Sequence, residues 1–131
     1  MQPTTIEELA WLHDAILFDV VYDFSGDIGR SIKLSLRCHA DSGYAPWNGR
    51  NLVVVAVNVA VTKSFIWGWV IGPETLDAIR PGVSGALRET TAEARRTGAR
   101  LPSLEFTISF HSGSEIEVIC ESLQLDVGPI A

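Results

Sequence analysis

A histidine and an aspartate stand side by side near the start of the chain, at His13 and Asp14. A neutral imidazole beside a carboxylate is a common pair of metal ligands and a common pair for proton transfer. The other histidines, His39 and His111, each lie at the end of an expected strand. A metal-dependent hydrolase that uses His13 and Asp14 together with His39 or His111 is therefore one hypothesis for function.

The same pair also suits a structural role. The pattern changes from helical to strand-like at this point, and a short polar side chain can bond to backbone groups that are left open there. We favour this structural role over catalysis for His13 and Asp14. We accordingly assign no catalytic residue and no metal ligand from the sequence.

Other residue combinations give little support for an enzyme. Cys38 precedes His39, but neighbouring side chains on a strand point to opposite faces and cannot easily share a proton. The sequence has no Gly-x-Ser-x-Gly elbow, phosphate loop, paired-cysteine motif or GxGxxG. We therefore lean against an enzyme and expect no cofactor.

The composition indicates one folded domain, residues 1–131, with 47% apolar and 20% charged residues. The net charge of −6 disfavours nucleic acid as a partner, because such binding depends on clustered lysine and arginine. The longest apolar run, residues 52–61, is shorter than the roughly 20 residues that span a bilayer. The first residues do not resemble a secretory signal, so we expect a cytoplasmic protein without a membrane segment.

Alternating apolar residues predict several strands. Residues 15–24 and 31–38 alternate on either side of a glycine-containing turn, which is typical of an antiparallel hairpin. Residues 52–61 are apolar on both faces, as in a strand that is covered on both sides. Three further strands are expected at 104–110, 115–120 and 122–127, and Cys38 and Cys120 are expected to be buried, reduced thiols.

Helices are expected at residues 4–12, 74–80 and 84–97, from capping residues, apolar spacing and the positions of proline and glycine. The predicted fold is α+β and mostly antiparallel β-sheet, with six or seven strands in a curved sheet or sandwich. The predicted core comprises Ile16, Phe18, Val20, Leu34, Leu36, Val55, Val57, Phe106, Ile108, Val118 and Leu125.

Aromatic residues outside these elements are candidates for a binding surface. Tyr44 and Trp47 lie in a glycine-rich loop, where we expect them to be exposed, and tryptophan and tyrosine are frequent anchors of protein interfaces. With His13, Asp14 and Asp41 they form the predicted partner-binding surface. A second pair, Trp67 and Trp69, is expected either in the core or on an edge strand that makes a homodimer with a ligand-binding groove.

The segment Leu12-His13-Asp14-Ala15, followed by an alternating strand and hairpin and by a C-terminal strand pair at 116–120 and 123–127, resembles a group of small bacterial proteins. That group includes immunity-type proteins of polymorphic toxin systems and many relatives whose function is unassigned. The resemblance implies a small, β-rich, non-enzymatic protein that binds and neutralises a toxin-like partner protein. The acidic composition suits a basic partner.

Overall fold

The computed structural model describes residues 1–25, 29–65 and 74–130, and antiparallel β-sheet dominates them. The strands are β1 (Gln2–Thr4), β2 (Ile16–Asp23), β3 (Ser31–Arg37), β4 (Arg50–Val57), β5 (Val61–Phe65), β6 (Glu74–Pro81), β7 (Leu104–Phe110), β8 (Glu115–Cys120) and β9 (Ser122–Ile130). The helices are α1 (Ile6–Leu9) and α2 (Gly85–Arg96), with 3-10 helices at Ala10–Leu12 and Ala45–Trp47. The α+β, mostly antiparallel class is confirmed, but the described residues form nine strands and not six or seven.

The sheet is continuous but has one narrow junction. Its strand order is β1-β9-β4-β3-β2-β6-β7-β8-β5, with antiparallel pairing. Strands β2 and β6 pair through only two residue pairs, Ile16 with Thr75 and Leu17 with Glu74. We call β1-β9-β4-β3-β2 the first half-sheet and β6-β7-β8-β5 the second half-sheet. Buried side chains from both belong to one core cluster, so the sheet curves around a shared interior.

Most of the predicted core is confirmed. Six of the predicted residues lie in the main cluster, namely Leu34, Leu36, Phe106, Ile108, Val118 and Leu125. Val55 and Val57 are buried outside that cluster, because Leu52, Val54 and Ala56 are the β4 residues that face it.

Strand β2 differs from the prediction because it contains a bulge. Regular alternation predicted Phe18 in the core, but the pairing register with β3 shifts between Leu17 and Asp19, which leaves Phe18 as an extra residue. Phe18 is 51% exposed, whereas Leu17 is buried. Past the bulge, Val20 is only partly buried but packs against the core again.

Residues 74–80 form strand β6, so the predicted helix there is wrong. The three-residue spacing of Leu76 and Ile79 would place both side chains on one helix face. In β6 the register shifts between Leu76 and Ala78, and this irregularity lets both side chains reach the core from a strand.

The apolar run at 52–61 also divides into two strands. Asn58 adopts a φ of 52°, a left-handed conformation that asparagine tolerates better than most residues, and β4 ends just before it. Strand β5 then joins the second half-sheet by pairing with β8. The run therefore links the two halves of the sheet and is not a single central strand.

The two other predicted helices are confirmed with adjusted ends. The Thr5 hydroxyl accepts a bond from the Glu8 N–H and caps α1, and the 3-10 helix continues it to Leu12. Helix α2 covers the outer face of the second half-sheet, where Leu87 and Val83 pack on Ile119. Within the described ranges, no helix has the length and apolar character that crossing a membrane requires.

Candidate functional site

Asp14 is held where the first 3-10 helix gives way to β2. Its backbone has a φ of 67°, and its N–H donates to the Leu76 carbonyl at 2.8 Å. The Leu76 N–H in turn donates to the Ala15 carbonyl at 2.8 Å. These two bonds fix the His13-Asp14 segment against β6. They are made by main-chain groups, so the side-chain bonding to open backbone groups that the sequence favours stays a prediction.

The fold brings His111 to this junction. The His111 N–H donates to the Thr75 carbonyl at 2.9 Å, which places the residue beside the start of β6. Its Nε2 lies 3.3 Å from Asp14 Oδ1 and 3.8 Å from Asp77 Oδ1, and His13 Nδ1 lies 3.4 Å from Asp14 Oδ2. All four side chains are more than half exposed, so these contacts add little to stability and the polar atoms remain open to a partner.

The sequence named both His39 and His111 as companions of His13 and Asp14, and the structure joins only His111 to them. No hydrogen bond or ion pair links His39 to this group within the described residues. In that same part of the chain, no three histidine, cysteine, aspartate or glutamate residues are grouped so that they could hold a metal ion.

Three aromatic side chains are in contact with one another. The ring of Trp11 stacks on Tyr44, with centroids 5.3 Å apart, and Tyr44 meets Trp47 edge to face at 4.9 Å. Trp47 is 3% exposed and belongs to the main core, so the prediction that it is an exposed loop residue is wrong. Trp11 is 44% exposed, which makes it the ring of these three that is most open to a partner.

Tyr44 is partly buried and packs against the core, while Asp41 is exposed. Because Trp11 precedes His13 by two residues, the aromatic stack and the polar group are close along the chain. We call Trp11, His13, Asp14, Tyr44, Asp77 and His111 the aromatic-acidic surface. Trp67 and Trp69, on which the homodimer hypothesis rested, lie outside the described residues.

A second polar group lies on the outer face of the second half-sheet. The strand register aligns Arg80 with Thr107, Thr107 with Glu117, and Glu117 with Lys63, so these four residues form one row across β6, β7, β8 and β5. Their neighbours Ile79, Phe106, Ile116 and Val118 face the core. The row therefore lies on the side that α2 covers.

Glu117 is the most unusual residue of this row, because it is a charged residue that is only 5% exposed. One carboxylate oxygen accepts the Ser84 N–H at 2.5 Å and the other accepts the Ser84 hydroxyl at 3.2 Å. Both bonds come from the residue that precedes α2, so Glu117 ties the start of this helix to the sheet. The sequence reasoning missed this contact, although Glu115 and Glu117 alternate with apolar residues in the predicted strand.

These residues line a groove of about 360 Å³ at the start of α2. Arg80 and Arg88 border it together with Ser84, Thr107, Glu115 and Glu117, and we call this set the charged groove. An adjoining cavity of about 230 Å³ shares three of these residues and is lined by Lys63 as well.

Both cysteines are free and buried, as predicted. Burial raises the pKa of Cys38 and of Cys120 to about 11, because a thiolate in an apolar interior lacks solvation. Thiols of the unfolded chain ionise near pH 8.5. Burial of the neutral thiols therefore contributes fully to the free energy of unfolding below about pH 8.5. This contribution is lost as the pH rises toward 11.

We expect a thiol reagent at pH 8 to leave the folded protein unlabelled and to label both cysteines in urea. The free energy of unfolding, measured by urea titration, should fall between pH 8.5 and 11. Because lysine and tyrosine also titrate there, the double variant Cys38→Ala/Cys120→Ala is the control, and its loss should be smaller. An equal loss of unfolding free energy in the wild type and the double variant would show that ionisation of the two thiols does not cause it.

A comparison of the chain with protein-family models, with curated protein sequences and with solved structures finds no match in any of the three.

Proposed function

We propose that this protein binds a basic partner protein through the aromatic-acidic surface and, as the immunity-type resemblance implies, neutralises it. The observation that carries the proposal is the exposure of Trp11, which is 44% exposed, stacks on Tyr44 and precedes Asp14 by three residues. Tryptophan is enriched among the few residues that dominate binding energy at protein interfaces. A ring that is already stacked loses little conformational freedom when a partner covers it.

The charge of the chain supports a basic partner. The net charge is −6, and the exposed carboxylates of Asp14 and Asp77 lie 3.3 Å and 3.8 Å from His111 Nε2. Exposed charges of one sign speed the approach of a partner of the opposite sign and disfavour partners of the same sign. An apolar anchor with a charged rim is also the usual composition of a protein interface.

The metal-dependent hydrolase is the second candidate: the contact between His111 and Asp14 supports it, while the lack of a three-residue ligand group among the described residues counts against it. That hypothesis predicts a stoichiometric metal ion in the purified protein, and elemental analysis measures it. Protein that is free of metal and still binds its partner would exclude the hydrolase while leaving the binding proposal intact.

The binding proposal is tested with the product of the gene that adjoins this one, since immunity proteins are encoded beside their toxins. We expect co-expression to relieve the toxicity of that product, and calorimetry to detect a complex. Trp11→Ala should weaken the complex by roughly 30-fold, because the loss of a central aromatic anchor costs about 2 kcal/mol.

Phe24→Ala is the matched control. Phe24 is an aromatic residue that is 64% exposed and does not belong to the aromatic-acidic surface. This variant should bind like the wild type. If the neighbouring product is not toxic and forms no complex, the proposal fails. Equal weakening by Trp11→Ala and Phe24→Ala would show that the contact lies elsewhere.

A further inference from the structure

The charged groove has cations that the fold itself does not neutralise. Arg80 lies 3.6 Å from Glu115, and Glu117 has both oxygens bonded by Ser84. The one hydrogen bond of the Arg88 side chain to described residues goes to the neutral Val83 carbonyl, at 3.1 Å. Within the described part of the chain, neither Arg88 nor Lys63 forms an ion pair.

The sum of the charges around the groove is opposite in sign to the net charge of the whole chain. Three cations, Arg80, Arg88 and Lys63, border the groove and its adjoining cavity, against the carboxylates of Glu115 and Glu117. The net charge of the protein is −6, so an uncompensated positive region stands out. Each guanidinium carries five N–H donors in a planar fork, and the contacts above use few of them.

We propose that the charged groove binds a small molecule through an oxyanion group, either a phosphate or a carboxylate. The groove volume of about 360 Å³ is at the lower end of the range for small-molecule sites. A guanidinium matches both oxyanions by donating two parallel bonds. The Arg88 guanidinium supplies that fork, and Lys63 adds a second positive charge from the side of β5.

Glu115 sets the strength of this site. Its carboxylate forms an ion pair with part of the Arg80 guanidinium and repels an incoming anion. Glu115 and Arg80 are both about half exposed, so the ion pair between them is weak and an anion can displace it. Removing the Glu115 charge therefore strengthens binding, while removing the Arg88 charge weakens it.

The test is a titration of the isotopically labelled protein with sodium phosphate, followed by amide NMR, at an ionic strength kept constant with sodium chloride. We expect saturable shifts at Ser84, Thr107 and Glu117. Arg88→Gln should weaken binding by about tenfold, as expected for lost charge-assisted bonds. Glu115→Gln should tighten it.

Arg100→Gln is the matched control, because Arg100 is exposed, lies beyond the end of α2 and changes the net charge by the same amount. It should bind like the wild type, and thermal melts of all variants verify folding. A second titration with sodium acetate identifies the source of the oxyanion, since a phosphate site responds to phosphate alone. Unsaturable shifts with both anions, or equal effects of Arg88→Gln and Arg100→Gln, would overturn the proposal.

Discussion

Trp47→Ala is expected to lower the free energy of unfolding by about 3–5 kcal/mol, the usual cost of emptying a large aromatic site in a core. Trp47 is 3% exposed and belongs to the main cluster, so little solvent reaches the space it fills. Small domains have a total stability of about 5–15 kcal/mol, and this loss is therefore a large share. Urea denaturation followed by far-ultraviolet circular dichroism measures it without depending on tryptophan fluorescence.

Trp11→Ala is the matched control for stability, because it removes the same side chain from the exposed end of the same aromatic contact. It should cost about 1 kcal/mol, since the lost stack on Tyr44 is worth about 0.5–1.5 kcal/mol, while it weakens partner binding. The two variants thus separate a core role from a contact role. A Trp47→Ala protein that is as stable as the wild type but fails to bind would restore the sequence-based assignment of Trp47 to the contact surface.

The fold class was predictable because it depends on patterns that repeat over many residues. The hairpin of β2 and β3 and the strands β7, β8 and β9 follow long alternations, and all five are observed near their predicted positions. The errors arose where the alternation is interrupted. In β2 and β6, a register shift leaves core residues three positions apart, which is also the spacing of neighbours on a helix face. A single sequence does not distinguish these two origins of the same spacing.

The short edge strand β1 was missed for a related reason. Its three residues include Pro3, and a proline within a segment argues against a strand. Proline is nevertheless tolerated at an edge, and β1 pairs on one side only, with β9.

Prediction of the candidate site was limited by contacts that are distant in sequence. Residue type alone suggests His111 as a companion of Asp14. The pairing of β6 with β7 that brings the two together does not follow from the sequence, since the spacing in residues 74–80 predicts a helix. A glycine-rich loop predicts an exposed Trp47. Loop membership describes the backbone, whereas burial depends on what packs over the side chain.

Glu117→Ala is expected to destabilise the protein by about 2–3 kcal/mol, because it leaves the Ser84 N–H and hydroxyl without the acceptors that the fold provides. A carboxylate at the start of a helix is also favoured by the positive end of the helix dipole. Ser84 makes no side-chain capping bond within α2, so Glu117 supplies the acceptor from the sheet. The loss should appear in urea denaturation and in faster amide hydrogen exchange along α2.

Two further variants determine the origin of that loss. Glu117→Gln keeps an oxygen that can accept the Ser84 N–H but removes the charge, so its stability should lie between those of the wild type and Glu117→Ala. Glu115→Ala removes a half-exposed carboxylate from the same strand and should cost about 0.5 kcal/mol or less. If Glu115→Ala destabilises as much as Glu117→Ala, the effect is a general one of charge on this face. If only the α2 amides of Glu117→Ala exchange faster while the strands keep their protection, the carboxylate acts by holding the helix on the sheet.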